Sequence, residues 1–245
     1  MIKLLNTRPS HQSHHLTQLI RQAGGTVFHL PLMEIEAIVF KPVNLGDVDI
    51  VIVTSANALQ HGIYFNSPHH HNKIIAIGNA TKKALEKYAH NILCPQHFSS
   101  EGILQMPELQ EIQKKSIVII SGENPKPLLK NELISRGALV RQMFTYRRKV
   151  IFYNMEKILP EIEKAGINTI VVTSNDNFTH LVNLFCEKKY REWLLSKTIC
   201  VVNTKMKNDA RSIGFSAVIQ AQDATDSAIA AVLYESYKPN VLGGM

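Results

Sequence analysis

The sequence is poor in cysteine. Its 245 residues include three, Cys94, Cys186 and Cys200, which lie far apart and form no C-x-x-C pair. An odd count without paired spacing argues against a disulfide framework and against a zinc ribbon. We therefore expect a protein of the reducing cytoplasm.

Long apolar runs are also missing. No stretch approaches the roughly 20 apolar residues of a membrane-spanning helix, and the first apolar segment is too short for a signal peptide. We therefore expect no membrane partner. Acidic residues are the scarcer charged class, 20 against 27 lysines and arginines, so the net charge is +7 and the pI is near 9.3. This excess of basic residues predicts an anionic partner.

The common catalytic signatures are absent as well. The sequence has no G-x-G-x-x-G, G-x-x-x-x-G-K-[ST], H-E-x-x-H or G-x-S-x-G motif, so dinucleotide-binding, P-loop, zincin and hydrolase functions lack support. Residues 69–71 are all histidine, but adjacent histidines cannot all face one ion, and Ser67-Pro68 before them indicates an exposed loop. His11 and His15 share a predicted helix face with no acidic or cysteine ligand nearby in the sequence. We predict no metal site.

What the sequence does contain is a regular alternation of short β-branched runs with helical patterns. This alternation predicts parallel sheets covered by helices on both faces. Nine strands are many for one small sheet, so we predict an α/β protein with two domains. The predicted strands are Ile2–Leu5, Thr26–Leu30, Ile50–Val53, Ile74–Ile77, Ile117–Ile120, Leu139–Thr145, Thr169–Val172, Ile199–Val202 and Ala217–Ile219.

The chain also repeats itself, and the order of the repeats indicates how the domains are arranged. A buried strand ending in Thr-Ser occurs at 51–55 and again at 170–174, and Gly24 and Gly137 each suit the left-handed residue that ends a helix. The unit that ends in Gly24 comes before the first Thr-Ser strand. The unit that ends in Gly137 follows that strand and closes the block that it begins. This order favours an inserted domain at 38–144, a discontinuous domain of 1–33 with 149–245, and connectors at 34–37 and 145–148. Two sequential domains that split near residue 145 are the alternative.

Polar turns at the ends of the predicted strands are the candidate binding residues. In an open parallel sheet, ligands bind outside the carboxyl ends of the strands, where Thr54, Ser55 and Ser174 fall. Gly78-Asn79-Ala80-Thr81 follows another strand and opens a helix, so its amides can cup a carboxylate or phosphate. For each of these groups the alternative is a simple helix cap. Together with the turns at 99–102, 121–124 and 223–226, they predict a cleft that holds a polyanion.

Tyr146 is the candidate proton donor. It ends an alternating strand and precedes Arg147-Arg148-Lys149. A strand-end tyrosine beside three cations can contact an anionic ligand. The alternative is a half-buried aromatic side chain under the hinge, next to a solvated basic connector.

The order and spacing of these segments resemble the uroporphyrinogen-III synthase family over about residues 1–235. The residues that carry the resemblance are 6–9 (Asn-Thr-Arg-Pro), 24–31, 53–57, 77–81, 98–103, Gly137, 145–146, 172–174 and Thr225. The resemblance implies two flavodoxin-like parallel-sheet domains, the second inserted into the first, joined by two β-strand connectors. It also implies an enzyme that cyclises hydroxymethylbilane to uroporphyrinogen III with loss of water and inversion of the last pyrrole ring. No metal or organic cofactor is implied.

The resemblance assigns roles to particular residues of this sequence. Tyr146 corresponds to a conserved cleft tyrosine, and we expect it to act as a general acid that is not essential. The residues expected to bind the polycarboxylate substrate are Arg8, Thr54, Ser55, Asn57, Gly78, Asn79, Ala80, Thr81, Ser100, Ser121, Gly122, Ser174, Asn203, Lys205 and Thr225.

The sequence departs from the family pattern at 203–207. The usual glycine is replaced by Asn203, and hydroxyl-bearing residues are replaced by Lys205 and Met206. Asparagine tolerates the left-handed conformation, so the turn can survive, and Lys205 can offer a charge to a carboxylate.

Two other functions remain open from the residues alone. A hinge-closing binding protein for a small anionic ligand would share the paired domains, but the only tryptophan, Trp193, lies in a helix away from the strand ends. A nucleic-acid binder should cluster its cations, which here are spread along the chain. We expect a monomer with no nucleic-acid partner.

Overall fold

The computed structural model describes residues 1–41, 44–60 and 72–237. By internal contacts the chain divides into two compact units. Unit 1 comprises residues 1–34 and 149–245, and unit 2 comprises residues 35–148. Each unit contains one five-stranded sheet with helices, which confirms the predicted α/β class. The histidine tract at 69–71 lies outside the described residues.

The elements alternate along the chain much as the sequence predicts. The strands are β1 (Lys3–Asn6), β2 (Thr26–His29), β3 (Met33–Ala37), β4 (Ile50–Val53), β5 (Lys73–Ala76), β6 (Ser116–Gly122), β7 (Leu139–Val150), β8 (Thr169–Val171), β9 (Thr198–Val201) and β10 (Ala217–Gln220). The helices are α1 (Ser10–Gln22), α2 (Asn57–Gln60), α3 (Asn79–Leu85), α4 (Ser100–Leu104), α5 (Leu128–Ser135), α6 (Met155–Lys164), α7 (Asn175–Leu184), α8 (Lys188–Leu195), α9 (Thr204–Ile213) and α10 (Asp226–Ser236).

The sheet of unit 1 has the strand order β10-β9-β8-β1-β2, and its neighbouring strands are parallel. Successive side chains in a strand point to opposite faces. Accordingly, Leu5 and Ile170 pack into a core with α6, α7, α8 and α9, while Leu4 and Val171 pack into a second core with α1 and α10. All four side chains are fully buried. The sheet is therefore covered on both faces, which explains why its central strands are apolar throughout.

The sheet of unit 2 has the strand order β3-β7-β6-β4-β5, with β4, β5, β6 and β7 pairing in parallel. Its two faces again form separate cores: Val51 and Ile120 pack with α3, and Ile52 and Ile119 pack with α4 and α5. Every residue of β4 is buried. This burial on both sides is what the unbroken run Ile-Val-Ile-Val predicts.

Strands β3 and β7 pass through the two predicted connectors. The amide of Ile38 donates to the carbonyl of Thr145 at 3.0 Å. Arg147 makes two hydrogen bonds to the carboxylate of Glu36, at 2.9 and 3.1 Å. Strand β7 extends five residues beyond the predicted end at Thr145, because this charged segment pairs with β3 rather than ending the sheet.

Two glycines end helices where the sequence predicts them. Gly24 has φ of +79° and Gly137 has φ of +83°, both in the left-handed region that favours glycine.

Among the described residues, no helix combines the length and the apolar character needed to cross a membrane.

Candidate functional site

In unit 2 the hydroxyl groups that follow β4 are already engaged. Thr54 Oγ1 donates to the carbonyl of Ile120 at 3.3 Å, and Ser55 Oγ accepts from the amide of Asn57 at 3.2 Å. The second contact satisfies a free amide at the start of α2. The capping interpretation therefore describes Ser55, whereas Thr54 links the end of β4 to the neighbouring strand β6.

The glycine at position 78 packs against an aromatic side chain. Gly78 is extended and buried at the start of α3, and a Cβ built there would lie 3.1 Å from the ring of Phe98. Binding of an anion by the amides that follow Gly78 stays a prediction. Asn79 and Ala80 are exposed at the start of the helix, and the side chain of Thr81 is almost fully buried.

Tyr146 lies against the backbone of Gly122. A Cβ on Gly122 would be 2.6 Å from Cζ and 3.0 Å from the phenol oxygen of Tyr146. The two residues face each other across β6 and β7, at a point where the register of the ladder shifts. Tyr146 is only 3% exposed and belongs to the core of unit 2, so it is more deeply buried than either reading of the sequence expected.

The polar groups next to Tyr146 are engaged in hydrogen bonds. The amide of Glu123 donates to the carbonyl of Tyr146 at 2.8 Å, and Ser121 Oγ donates to the carbonyl of Gly122 at 2.9 Å. The ring of Tyr146 is held by packing against Gly122 and the core of unit 2.

Ser100 opens α4, next to the residue that caps this helix. Ser99 Oγ accepts from the amide of Gly102 at 3.0 Å. Hydrogen bonds from the amide of Glu101 itself and from the Ser99 hydroxyl lower the pKa of Glu101, and the positive charge of Lys126 adds to this effect. The structure also brings Ser100 and Thr54, 46 positions apart in the sequence, to the lining of one small cavity.

In unit 1, Arg8 follows β1 and is 8% exposed. Its Nη1 pairs with Oδ1 of Asp226 at the start of α10, and the other oxygen of Asp226 contacts Nδ1 of His15 at 2.9 Å. Arg8 Nε is buried and has no partner among the described residues. One hydrogen-bond donor of the guanidinium is therefore left unsatisfied. Sequence reasoning missed Asp226 and His15 as partners, because nothing local connects residues more than 200 positions apart.

Ser174 and Thr225 both cap helices in unit 1. Ser174 Oγ accepts from the amide of Asn177 at 3.2 Å, and the side-chain amide of Asn177 in turn donates to the carbonyl of Thr7. Thr225 Oγ1 accepts from the amide of Ala228 and donates to Asp223. Those contacts from the hydroxyl and amide of Thr225 lower the pKa of Asp223. The starts of α7 and α10 thus lie beside the segment that carries Arg8.

The atypical turn at 203–207 survives by a route other than the expected one. Asn203 is extended, with φ of −153°, and its Oδ1 caps α9 by accepting from the amide of Met206 at 2.9 Å. The expected left-handed conformation was wrong, because an asparagine side chain can cap the helix directly from extended backbone. Lys205 is exposed and pairs with Asp209 one turn along at 2.5 Å, so its charge is partly neutralised.

Two of the three cysteines are poor nucleophiles, and the described residues form no metal cluster. Burial raises the pKa of the Cys200 thiol to about 12 and also raises the pKa of Cys94. No group of three histidine, cysteine, aspartate or glutamate side chains within residues 1–41, 44–60 and 72–237 is arranged to hold a metal ion.

These features define a class: two-unit α/β proteins whose helix-capping turns collect hydroxyls and amides at the carboxyl ends of parallel strands. The family model for uroporphyrinogen-III synthase HemD matches residues 14–231. The chain belongs to the uroporphyrinogen-III synthase family, as the resemblance predicted, and functions as an enzyme of tetrapyrrole biosynthesis.

The similarity to individual relatives extends over nearly the full chain. The uroporphyrinogen-III synthase of Escherichia coli is 28% identical over 245 residues, which cover 93% of this chain and 98% of that protein. The enzyme of Proteus mirabilis is 30% identical over 179 residues, covering 68% and 90% of the two chains.

Solved structures support the fold. A mutant uroporphyrinogen III synthase from Thermus thermophilus aligns with a TM-score of 0.60 at 17% identity, covering 98% of this chain and 100% of that one. The enzyme from Helicobacter pylori aligns with a TM-score of 0.59 at 17% identity, covering 97% and 100%.

Proposed function

We propose that the chain converts hydroxymethylbilane to uroporphyrinogen III, with loss of water and inversion of the last pyrrole ring. The substrate is a polycarboxylate, and the chain carries a net charge of +7. The observation that carries the proposal is the family match over residues 14–231, and helices begin at polar turns after strands of both sheets. Helix N-termini present amides and a positive dipole end to anions. Such turns suit a ligand whose acid groups are spread over its length.

The proposed mechanism places geometry before acid–base chemistry. Loss of the hydroxyl group leaves an azafulvenium cation. The far pyrrole attacks this cation through its substituted carbon, and the resulting spiro intermediate fragments and recloses with the ring turned over. Holding the two ends of the bilane together supplies most of the rate enhancement and decides which isomer forms.

Within this mechanism, Tyr146 assists the departing hydroxyl group as a general acid. Its buried ring packs against Gly122, which fixes the position of the phenol oxygen. The contribution is modest, because general acid assistance by one group adds to positioning rather than replacing it.

The proposed substrate-binding groups fall into two kinds. Backbone amides contribute at the helix start formed by Gly78, Asn79 and Ala80, and at Ser121, whose hydroxyl is already bonded to a neighbouring carbonyl. Side chains contribute at Arg8, Thr54 and Ser100, and also at Ser55, Asn57, Thr81, Ser174, Asn203, Lys205 and Thr225. Gly122, at the end of β6, contributes through its backbone.

The test is the isomer that the purified protein makes from freshly prepared hydroxymethylbilane. With a chelator present, we expect mainly the inverted isomer, while a blank reaction without protein gives the uninverted one. An unchanged excess of the uninverted isomer would contradict the proposed function. Binding of the bilane without turnover would instead support the hinge-closing binding protein.

The assembly and compartment are also proposals. We propose a monomer. A cytoplasmic location is consistent with three cysteines of unpaired spacing, and the spread of the cations along the chain argues against a nucleic-acid partner. Light scattering should give a mass near 27.6 kDa. We further propose that the two units are folding domains, with the second inserted into the first. Residues 35–148 expressed alone should then give a cooperative unfolding transition.

A further inference from the structure

A small cavity in unit 2 lies on the sheet face covered by α4 and α5, and its volume is about 140 Å³. Its polar lining comprises Thr54, Ser100, Lys126, Lys130 and Gln142. Two lysines therefore join Thr54 and Ser100, which the sequence analysis named as substrate-binding residues. We name it the Lys126–Lys130 pocket.

The size and the apolar lining of the pocket suit a short carboxylate arm. A water molecule occupies roughly 30 Å³ in the liquid, so the volume equals that of about four or five waters, comparable with one acetate or propionate group. Ile119 and Leu129 are buried core residues that also line the pocket. They can contact the methylene part of an arm while the polar groups contact its oxygens.

The electrostatics of the pocket favour an anion. Lys130 lies in the first turn of α5, and this first turn contains no acidic residue. Lys126 lies just before the helix. Cations are unfavourable at a helix N-terminus and anions are favourable there, so a bound carboxylate would stabilise both the lysines and the helix start. Among the described residues that line the pocket there is no carboxylate. Glu101, which feels the charge of Lys126, lies outside this lining.

We propose that the Lys126–Lys130 pocket binds one carboxylate arm of the substrate, with the two lysines supplying charge and Ser100 and Gln142 supplying hydrogen bonds. The inference rests on the proposed function. It assigns to the pocket the binding of one carboxylate arm of the substrate. Because the pocket contacts an arm and not the reacting carbon, it binds ground state and transition state alike.

The first test is kinetic. In the variant Lys126→Gln with Lys130→Gln, we expect KM for hydroxymethylbilane to rise about tenfold with kcat within about twofold, the signature of lost uniform binding. Lys126→Arg with Lys130→Arg keeps the charge and should keep KM within about twofold of the native value. Lys87→Gln, an exposed lysine elsewhere in unit 2, is the control for general loss of charge. A double Gln variant that behaves like Lys87→Gln would overturn the proposal.

The second test identifies the arm. Bilane analogues are prepared in which one acetate or propionate arm at a time is cut back to methyl. One truncation should raise KM in the native enzyme but cause no further rise in the double Gln variant, because each change removes the same contact. If every truncation adds fully to the lysine changes, no arm occupies the pocket and the proposal fails.

The two levels of inference fail in different ways. If the native protein does not produce the inverted isomer, the proposed function fails. If the native protein does so while the lysine variants match the Lys87→Gln control, only the pocket assignment fails. Circular dichroism of each variant establishes that it is folded before its kinetics are compared.

Discussion

Replacing Gly122 with alanine should destabilise unit 2 by a definite route. The added Cβ would lie 2.6, 2.8 and 3.0 Å from Cζ, Cε2 and the oxygen of Tyr146, closer than side-chain atoms approach in folded proteins. Gly122 does not have positive φ, so the backbone itself accepts alanine. The cost is therefore steric. Forcing an extra carbon into a packed core costs about 1–3 kcal/mol, which for a chain of this size lowers the melting temperature by roughly 2–12 °C.

The measurement is urea and thermal unfolding followed by far-ultraviolet circular dichroism. Trp193 fluorescence serves only as a report on unit 1, where the single tryptophan lies. The matched background is Tyr146→Leu, which shortens the side chain that the new methyl group meets. In that background Gly122→Ala should cost under about 0.5 kcal/mol, giving a coupling energy of about 0.5–3 kcal/mol between the two positions.

The outcome that refutes this reasoning is equal destabilisation in both backgrounds. Equal costs would mean that the glycine matters for the backbone of β6 and not for the ring of Tyr146. The same variants also carry information on catalysis, because a displaced ring moves the phenol oxygen. Turnover of folded Gly122→Ala should therefore fall together with the loss of stability.

Three further predictions concern single side chains. Tyr146→Phe should lower turnover about tenfold, or 1.4 kcal/mol in the barrier, and leave clear activity; complete loss in a folded variant would indicate one essential proton donor. Asp226→Asn should reduce the free energy of unfolding, measured by urea titration, by about 1–3 kcal/mol, because it leaves the buried Arg8 guanidinium without its charged partner. An unchanged unfolding midpoint would contradict this role. Iodoacetamide at pH 8 should alkylate the exposed Cys186 but not Cys200, whose pKa is raised to about 12 by burial, and labelling of Cys200 without denaturant would show that its core opens readily.

Much of the fold could be predicted from local patterns. The run at 50–53 is apolar at every position because β4 is buried on both faces, and that reading holds residue for residue. Gly24 and Gly137 could be assigned to left-handed positions because only the chain's own sterics decide that choice. The departure at β7 shows the limit of such patterns. Its charged end gives no local signal for a strand, yet pairing with β3 extends it to Val150.

The candidate site was predicted only in part. Turns at strand ends could be found, since a parallel sheet collects its carboxyl ends at one edge, and several of them are also helix caps. Where a side chain points could not be read. Phe98 fills the space beside Gly78, and the ring of Tyr146 covers Gly122. Each of these contacts joins residues 20 or more positions apart.

The sequence by itself therefore determined the periodicity, the helix ends and the family, because these depend on backbone geometry and on short spacings. Tertiary structure alone decided the partners of the charged groups. Arg8 meets Asp226, and Lys126 and Lys130 meet Thr54 and Ser100 around one cavity. Such contacts arise when strands and helices that are distant in the chain pack side by side. Their energies come from burial and from the approach of charges, neither of which a linear pattern contains.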